Sequence, residues 1–119
     1  MVRQPPAIET FGAGGFRLSG VWMPGSLLLV DDVPAPWRPR SLNEVTPEDF
    51  ALVIDRGVAA SEFVLLGTGA NQGLPSKSVR EALQKAGLGL EFMSTHNAAR
   101  TYSVLISEGR RFAVALIAV

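Results

Sequence analysis

The chain has 119 residues, 47% of them apolar, with 11 basic and 11 acidic side chains and no cysteine. That apolar content argues against disorder, and the even charge balance, with no basic block, lacks the electrostatic footprint of a nucleic-acid binder. The missing cysteine excludes a disulfide, a thiolate metal site and a cysteine nucleophile. The N-terminal Met1 to Pro6 stretch has no apolar core of a secretory signal. The longest apolar run, Phe112 to Val119, is far shorter than the roughly 20 residues a membrane-spanning helix needs. A soluble, cytoplasmic, single-domain protein is the expectation.

Residues 1–7 read as a flexible tail stiffened by Pro5 and Pro6, and residues 8–119 as one domain. Ile8 to Phe11 is a short strand, Gly12 to Gly15 a glycine turn, and Phe16 to Gly20 an alternating, half-buried strand. Pro24-Gly25 forms the next turn, and Ser26 to Val30 is a strand buried on both faces. Three strands joined by turns predict an antiparallel sheet. Asp31 to Arg40 holds Pro34, Pro36 and Pro39 around Trp37 and is not helical; Trp37 is expected to plug the core under a loop.

Thr46 is placed as an N-cap, followed by Pro47 and two acids that suit the helix dipole; Phe50, Val53 and Ile54 follow at helical spacing and Gly57 ends the element. Glu62 to Leu66 is a buried strand that stops at Gly67-Thr68-Gly69. Ser78-Val79-Arg80-Glu81 reads as a capping box, with Val79, Ala82, Leu83 and Ala86 on one apolar stripe and Gly87 as the stop. Leu88 to Met93 is a strand. Thr95 caps a third helix whose buried face carries Ala98, Tyr102, Leu105 and Ile106. Gly109 ends it, and Phe112 to Val119 is the last strand. The fold class is therefore α/β: a single three-layer domain with a mixed sheet, antiparallel N-terminal strands followed by βαβαβ.

Ligands of open α/β sheets sit outside the carboxyl ends of strands, which directs attention to Gly67-Thr68-Gly69. The run through Gly73 spaces its third glycine one position too far for a dinucleotide fingerprint and has no phosphate-loop lysine. Its simpler role is a strand exit that lets backbones approach. Thr95 to Tyr102 is the other polar cluster: free N–H groups open a helix there, and Arg100 offers a bidentate clamp for carboxylate or phosphate. His96, the only histidine, has no second histidine near it and no metal-ligand spacing. Gly67, Thr68, Gly69, Thr95, Arg100 and Thr101 are the candidate ligand-binding residues, and no catalytic residue, metal or cofactor is predicted.

Several segments carry a family resemblance: Phe11-Gly12-Ala13-Gly14-Gly15-Phe16-Arg17-Leu18-Ser19-Gly20, Gly25-Ser26-Leu27-Leu28-Leu29 with Trp37, and Leu65-Leu66-Gly67-Thr68-Gly69. Arg80-Glu81-Ala82-Leu83, Glu91-Phe92-Met93-Ser94-Thr95, Ala98-Ala99-Arg100-Thr101-Tyr102-Ser103-Val104-Leu105 and Glu108-Gly109-Arg110-Arg111 continue it. Across nearly its whole length the chain resembles the family of the mitochondrial complex I (NADH:ubiquinone oxidoreductase) assembly factor three and the adipogenesis-associated domain proteins. The resemblance implies a three-layer α/β domain, a bacterial-type member of unknown function, and no established catalytic residue, metal or cofactor. Many relatives carry a cysteine before the arginine of the Arg-Thr-Tyr motif and an asparagine after it; Ala99 and Ser103 stand at those positions here, so cysteine chemistry is not essential to this chain. Two functional readings follow. One is a non-enzymatic interaction or assembly factor with a protein partner, for a respiratory or other membrane complex. The other is a small anionic-ligand binding protein or weak enzyme with its pocket at the strand ends.

Overall fold

The strand Phe63–Gly67 lies near the middle of the molecule because every one of its side chains is apolar or glycine and both of its faces are covered. A computed structural model describes residues 3–119 of the chain. The strands are β1 (Ile8–Gly12), β2 (Gly15–Leu18), β3 (Val21–Pro24), β4 (Ser26–Val30), β5 (Val33–Trp37), β6 (Phe63–Gly67), β7 (Gly89–Met93) and β8 (Ala113–Leu116). The helices are α1 (Ala51–Ala60), α2 (Lys77–Lys85) and α3 (Thr95–Ser107).

Five strands make the central sheet, in the order β5-β4-β8-β6-β7. β8, β6 and β7 run parallel, while β4 is antiparallel to both β5 and β8. The βαβαβ pattern is thus present as β6-α2-β7-α3-β8, and it forms a mixed sheet with the β4–β5 hairpin. β1, β2 and β3 form a separate antiparallel sheet. Strand alternation sorts the core into two sides. Leu28, Val30, Val64, Leu66 and Ala115 pack with Phe50, Val53, Val79 and Leu83. Leu27, Leu29, Leu65, Val114 and Leu116 pack with Ala98, Tyr102 and Leu105 of α3 and with Phe16 and Leu18 of the small sheet. The layers are therefore α1 and α2, the central sheet, then α3 with the small sheet. Each fully buried Leu or Val contributes about 1.5–3 kcal/mol.

Several local expectations are corrected. Ser26 to Val30 does not extend the first hairpin. β3 takes that place, and Gly25, at φ +83°, redirects the chain into the central sheet. The proline-rich stretch after Asp32 is a strand, β5, because Pro34 and Pro36 fall where no ladder N–H is required. Thr46 opens a 3₁₀ turn, Pro47–Phe50, through a capping box with Asp49 rather than capping α1 directly. Gly57 breaks the helical path at φ 67°, ψ −169°, but hydrogen bonding resumes to Ala60. Ser76, not Ser78, caps α2, and Ser94, not Thr95, caps α3. Trp37 is buried against Phe50, with its indole N–H donating to Asp49 O at 2.9 Å.

Of the tail expected over residues 1–7, Met1 and Val2 lie outside the described residues. Arg3 forms a bidentate pair with Asp32 at 3.0 and 3.1 Å and donates to Arg110 O at 2.7 Å. The Tyr102 hydroxyl donates to Pro6 O at 2.6 Å.

Candidate functional site

The carboxyl ends of β6 and β8 open side by side because the two strands are parallel, with Gly67 opposite Leu116. β6 exits through Thr68 and Gly69, the latter at φ +105°. Thr68 N–H donates to Met93 O at 2.8 Å, tying the exit of β6 to that of β7. The Thr68 hydroxyl lies 2.7 Å from Asn71 O and accepts the Gly73 N–H at 3.2 Å, so one side chain holds the following loop closed.

Thr95 is fully buried. Its hydroxyl donates to Ile117 O at 2.7 Å and accepts the Gly69 N–H at 3.0 Å, while its own N–H donates to Gly69 O at 2.9 Å. A Cβ at Gly67 would lie 2.9 Å from Thr95 Oγ1 and 2.8 Å from Leu116 Cδ2. Glycine here permits the close approach of α3 to the β6 exit, and the threonine satisfies the groups that the approach buries.

Four of the six predicted residues, Gly67, Thr68, Gly69 and Thr95, therefore meet at one point. Thr101 sits on the next turn of α3, its hydroxyl 3.3 Å from Met93 Sδ. Arg100 is exposed and has no hydrogen-bond or ion-pair partner among the described residues. His96 is exposed too, with its ring edge-on to Phe11 at 5.3 Å.

A cavity of about 400 Å³ opens beside this knot, lined by Thr68, Gly69, the loop through Gly73, Ile117 to Val119, and Arg40 to Leu42. A second, of about 420 Å³, adjoins it and shares Arg40 and Ala118. Arg40, not Arg100, is the cation of the turn cavity. Nothing in the local sequence marks Arg40 as a site residue. The path of the chain after β5 brings it beside a turn some 28 residues further on. Ser26, buried at the start of β4, accepts the Ala118 N–H at 3.0 Å and pins the last residues at the cavity floor.

The fold and this strand-end knot define a three-layer α/β domain with a mixed sheet. Residues 8–117 match the model of a family described as protein of unknown function (DUF498/DUF598), and the chain belongs to that family. An uncharacterised protein of Rhodobacter capsulatus is 34% identical over 110 residues, covering 92% of this chain and 82% of that one. The mouse NADH dehydrogenase [ubiquinone] 1 alpha subcomplex assembly factor 3 is 29% identical over 112 residues, covering 92% of this chain. The chain spans only 59% of that mouse protein. Among solved structures, one described as an outer membrane protein from Bartonella henselae superposes with a TM-score of 0.88 at 28% identity, over 99% of this chain and 98% of the other. No helix among the described residues of the present chain is long and apolar enough to cross a membrane.

Proposed function

We propose that this chain is a non-enzymatic interaction protein that assists assembly of a respiratory or other membrane complex from the soluble side. The observation that carries this reading is the likeness to the complex I assembly factor over 92% of the chain. Surface composition supports it. Trp22, on the outer face of the small sheet opposite Arg17, leaves 41% of its area exposed, and exposed aromatics of this kind anchor interfaces. The experiment is affinity capture of the chain at native expression level, with Trp22→Ala in parallel. Recovery of a defined membrane-complex subunit, weakened in the variant, is the expected outcome; no stable partner under any membrane-solubilising condition counts against assembly.

The cavity beside the Gly67–Gly69 turn supports a second reading, a small anionic ligand held by Arg40. Among the described residues, Arg40 supplies the only charged side chain lining either of the two adjoining cavities. A ligand that binds only the folded state at a hundredfold excess over its Kd adds about 2.7 kcal/mol of stability. A thermal-shift panel of carboxylates and phosphates should then raise the Tm of wild type and Arg100→Ala but not of Arg40→Ala. Loss of the shift in Arg100→Ala instead would return the clamp to α3.

A further inference from the structure

The edge of a sheet is a row of unpaired N–H and C=O groups, and proteins close such rows with prolines, bulges, short strands or charge. The central sheet ends in β5 on one side and β7 on the other. β4 and β5 join through Asp31 and Asp32, both at positive φ, so Val30 and Val33 form the hydrogen-bonded pair that closes the hairpin. Alternation then turns Val33, Ala35 and Trp37 toward β4 and leaves Pro34 and Pro36 facing outward. Neither proline has an N–H, so this edge offers no outward donor between Val33 and Trp37. The small sheet is closed as well: β1 carries a register irregularity between Ile8 and Thr10, and β3 is four residues long and ends in Pro24.

β7 has neither a proline nor a bulge, and its one charge is Glu91. It is five residues, Gly-Leu-Glu-Phe-Met, paired with β6 in unbroken parallel register. Gly89 N–H donates to Glu62 O at 3.3 Å and Met93 O accepts the Thr68 N–H at 2.8 Å, so Gly89, Glu91 and Met93 address β6. Leu90 and Phe92 therefore turn both N–H and C=O outward, and these groups have no partner among the described residues. Their half-buried side chains pack at the rim of the core on the α2 side. Glu91 is exposed and carries no ion pair among the described residues.

We propose that the β7 edge receives an extended strand of a partner protein, added antiparallel, with a basic residue opposite Glu91 between two apolar residues. Backbone bonds to Leu90 and Phe92 hold the strand, and the apolar pair prolongs the core past their side chains. Charge selects against a second copy of this chain. The two-fold pairing that uses both Leu90 and Phe92 sets Glu91 directly against Glu91, and like charges in that position repel. A lysine or arginine there reverses the sign of the interaction. The inference rests on the interaction-protein reading above and names the surface it would use.

The test joins the strand Thr-Val-Lys-Val-Thr, or Thr-Val-Glu-Val-Thr, to the chain by a flexible Gly/Ser linker, which supplies a millimolar effective concentration. Amide exchange of Leu90 and Phe92 is the readout. In the unmodified chain both amides should exchange freely. The lysine strand should slow them ~10-fold, the glutamate strand much less, and Glu91→Lys should invert that preference; an opening equilibrium of this size is well within what native-state exchange resolves. Amides already protected without the strand, or equal protection by both strands, would overturn the proposal. A failure of the assembly reading alone looks different: the lysine strand docks, but no native partner is captured. If instead a captured native partner leaves Leu90 and Phe92 unprotected, the assembly reading stands and the edge proposal falls.

Discussion

A methyl group at Gly67 would meet Leu116 Cδ2 at 2.8 Å, Thr95 Oγ1 at 2.9 Å and Thr95 Cα at 3.0 Å. The last of these is backbone and cannot swing aside, so α3 would have to move off the sheet. Overpacking of this kind costs about 1–3 kcal/mol. Gly67→Ala is expected to lower stability by that amount in a denaturant titration, with the slope unchanged; a neutral result would mean that α3 shifts freely. Thr95 complements this glycine chemically. Thr95→Val keeps the volume but leaves Gly69 N–H and Ile117 O, both bonded to the hydroxyl in the native chain, without that partner. Burying such groups unpaired costs about 1–3 kcal/mol. Thr95→Ser, which restores the hydroxyl, should recover most of the loss; if Ser is as unstable as Val, the methyl group and not the hydrogen bonds carries the residue's role.

Elements in this chain start where a local hydrogen-bonding choice is settled by packing. Thr46 and Asp49 form a capping box ahead of α1, with Asp49 accepting from Thr46 N–H at 2.8 Å and from the Thr46 hydroxyl at 3.0 Å. Arg38 bonds both carboxylate oxygens at 2.8 Å, so the same acid ties the end of β5 to the turn that begins the helical segment. The Arg38 hydrogen bonds first, and the Thr46 bonds after them, hold the Asp49 carboxyl below the usual carboxylate range. A lowered native pKa means that the contribution is present above the unfolded value, near 3.9, and is lost as pH falls through the lower native one. The acid limb of wild-type stability is therefore expected to be steeper than that of Asp49→Asn, and the variant should be destabilised by about 0.5–2 kcal/mol at neutral pH, the usual cost of a lost cap. Parallel acid limbs for the two proteins would show that Asp49 titrates alike folded and unfolded. Ser76 and Ser78, like Ser94 and Thr95, are near-equivalent caps on local chemistry. Packing chooses between them: Thr95 is drawn into the sheet to bond Ile117 O, and Ser94 is left to cap.

At the scale of the whole molecule, β4, β6 and β8 are readable because they are nearly continuous apolar runs, and both of their faces are covered. β5 is not, since Pro34 and Pro36 argue against a strand until the pairing reveals that they face away from β4. β3 was hidden because four residues with Val21 and Trp22 exposed carry no burial pattern. The glycine-threonine knot was legible as a strand exit, but which arginine stands beside its cavity depends on a loop distant in sequence, and Arg40 rather than Arg100 holds that place. The N-terminal segment is likewise joined to the domain by long-range contacts with no local sign. Arg3 pairs with Asp32 at the tip of the β4–β5 hairpin, and the Tyr102 hydroxyl of α3 donates to Pro6 O at 2.6 Å. Burial, with the nearby Asp32 carboxylate adding to it, pushes the Tyr102 hydroxyl up to about 12 against a smaller opposing effect of Arg3. A pKa raised in the folded state means that the neutral hydroxyl is the form the fold favours. Its contribution is complete below the unfolded value, near 10, and disappears as pH rises through about 12. Tyr102 is the only tyrosine in the chain, so tyrosinate absorbance reports this one group without deconvolution. The native absorbance titration should be centred near the shifted value and should fall back toward 10 in denaturant. Stability between these two pH values should decline more steeply in wild type than in Tyr102→Phe, which has no proton to lose and forgoes the bond to Pro6. An absorbance midpoint near 10 in the folded protein would mean that the ring is solvated and that the N-terminal segment is not clasped by α3.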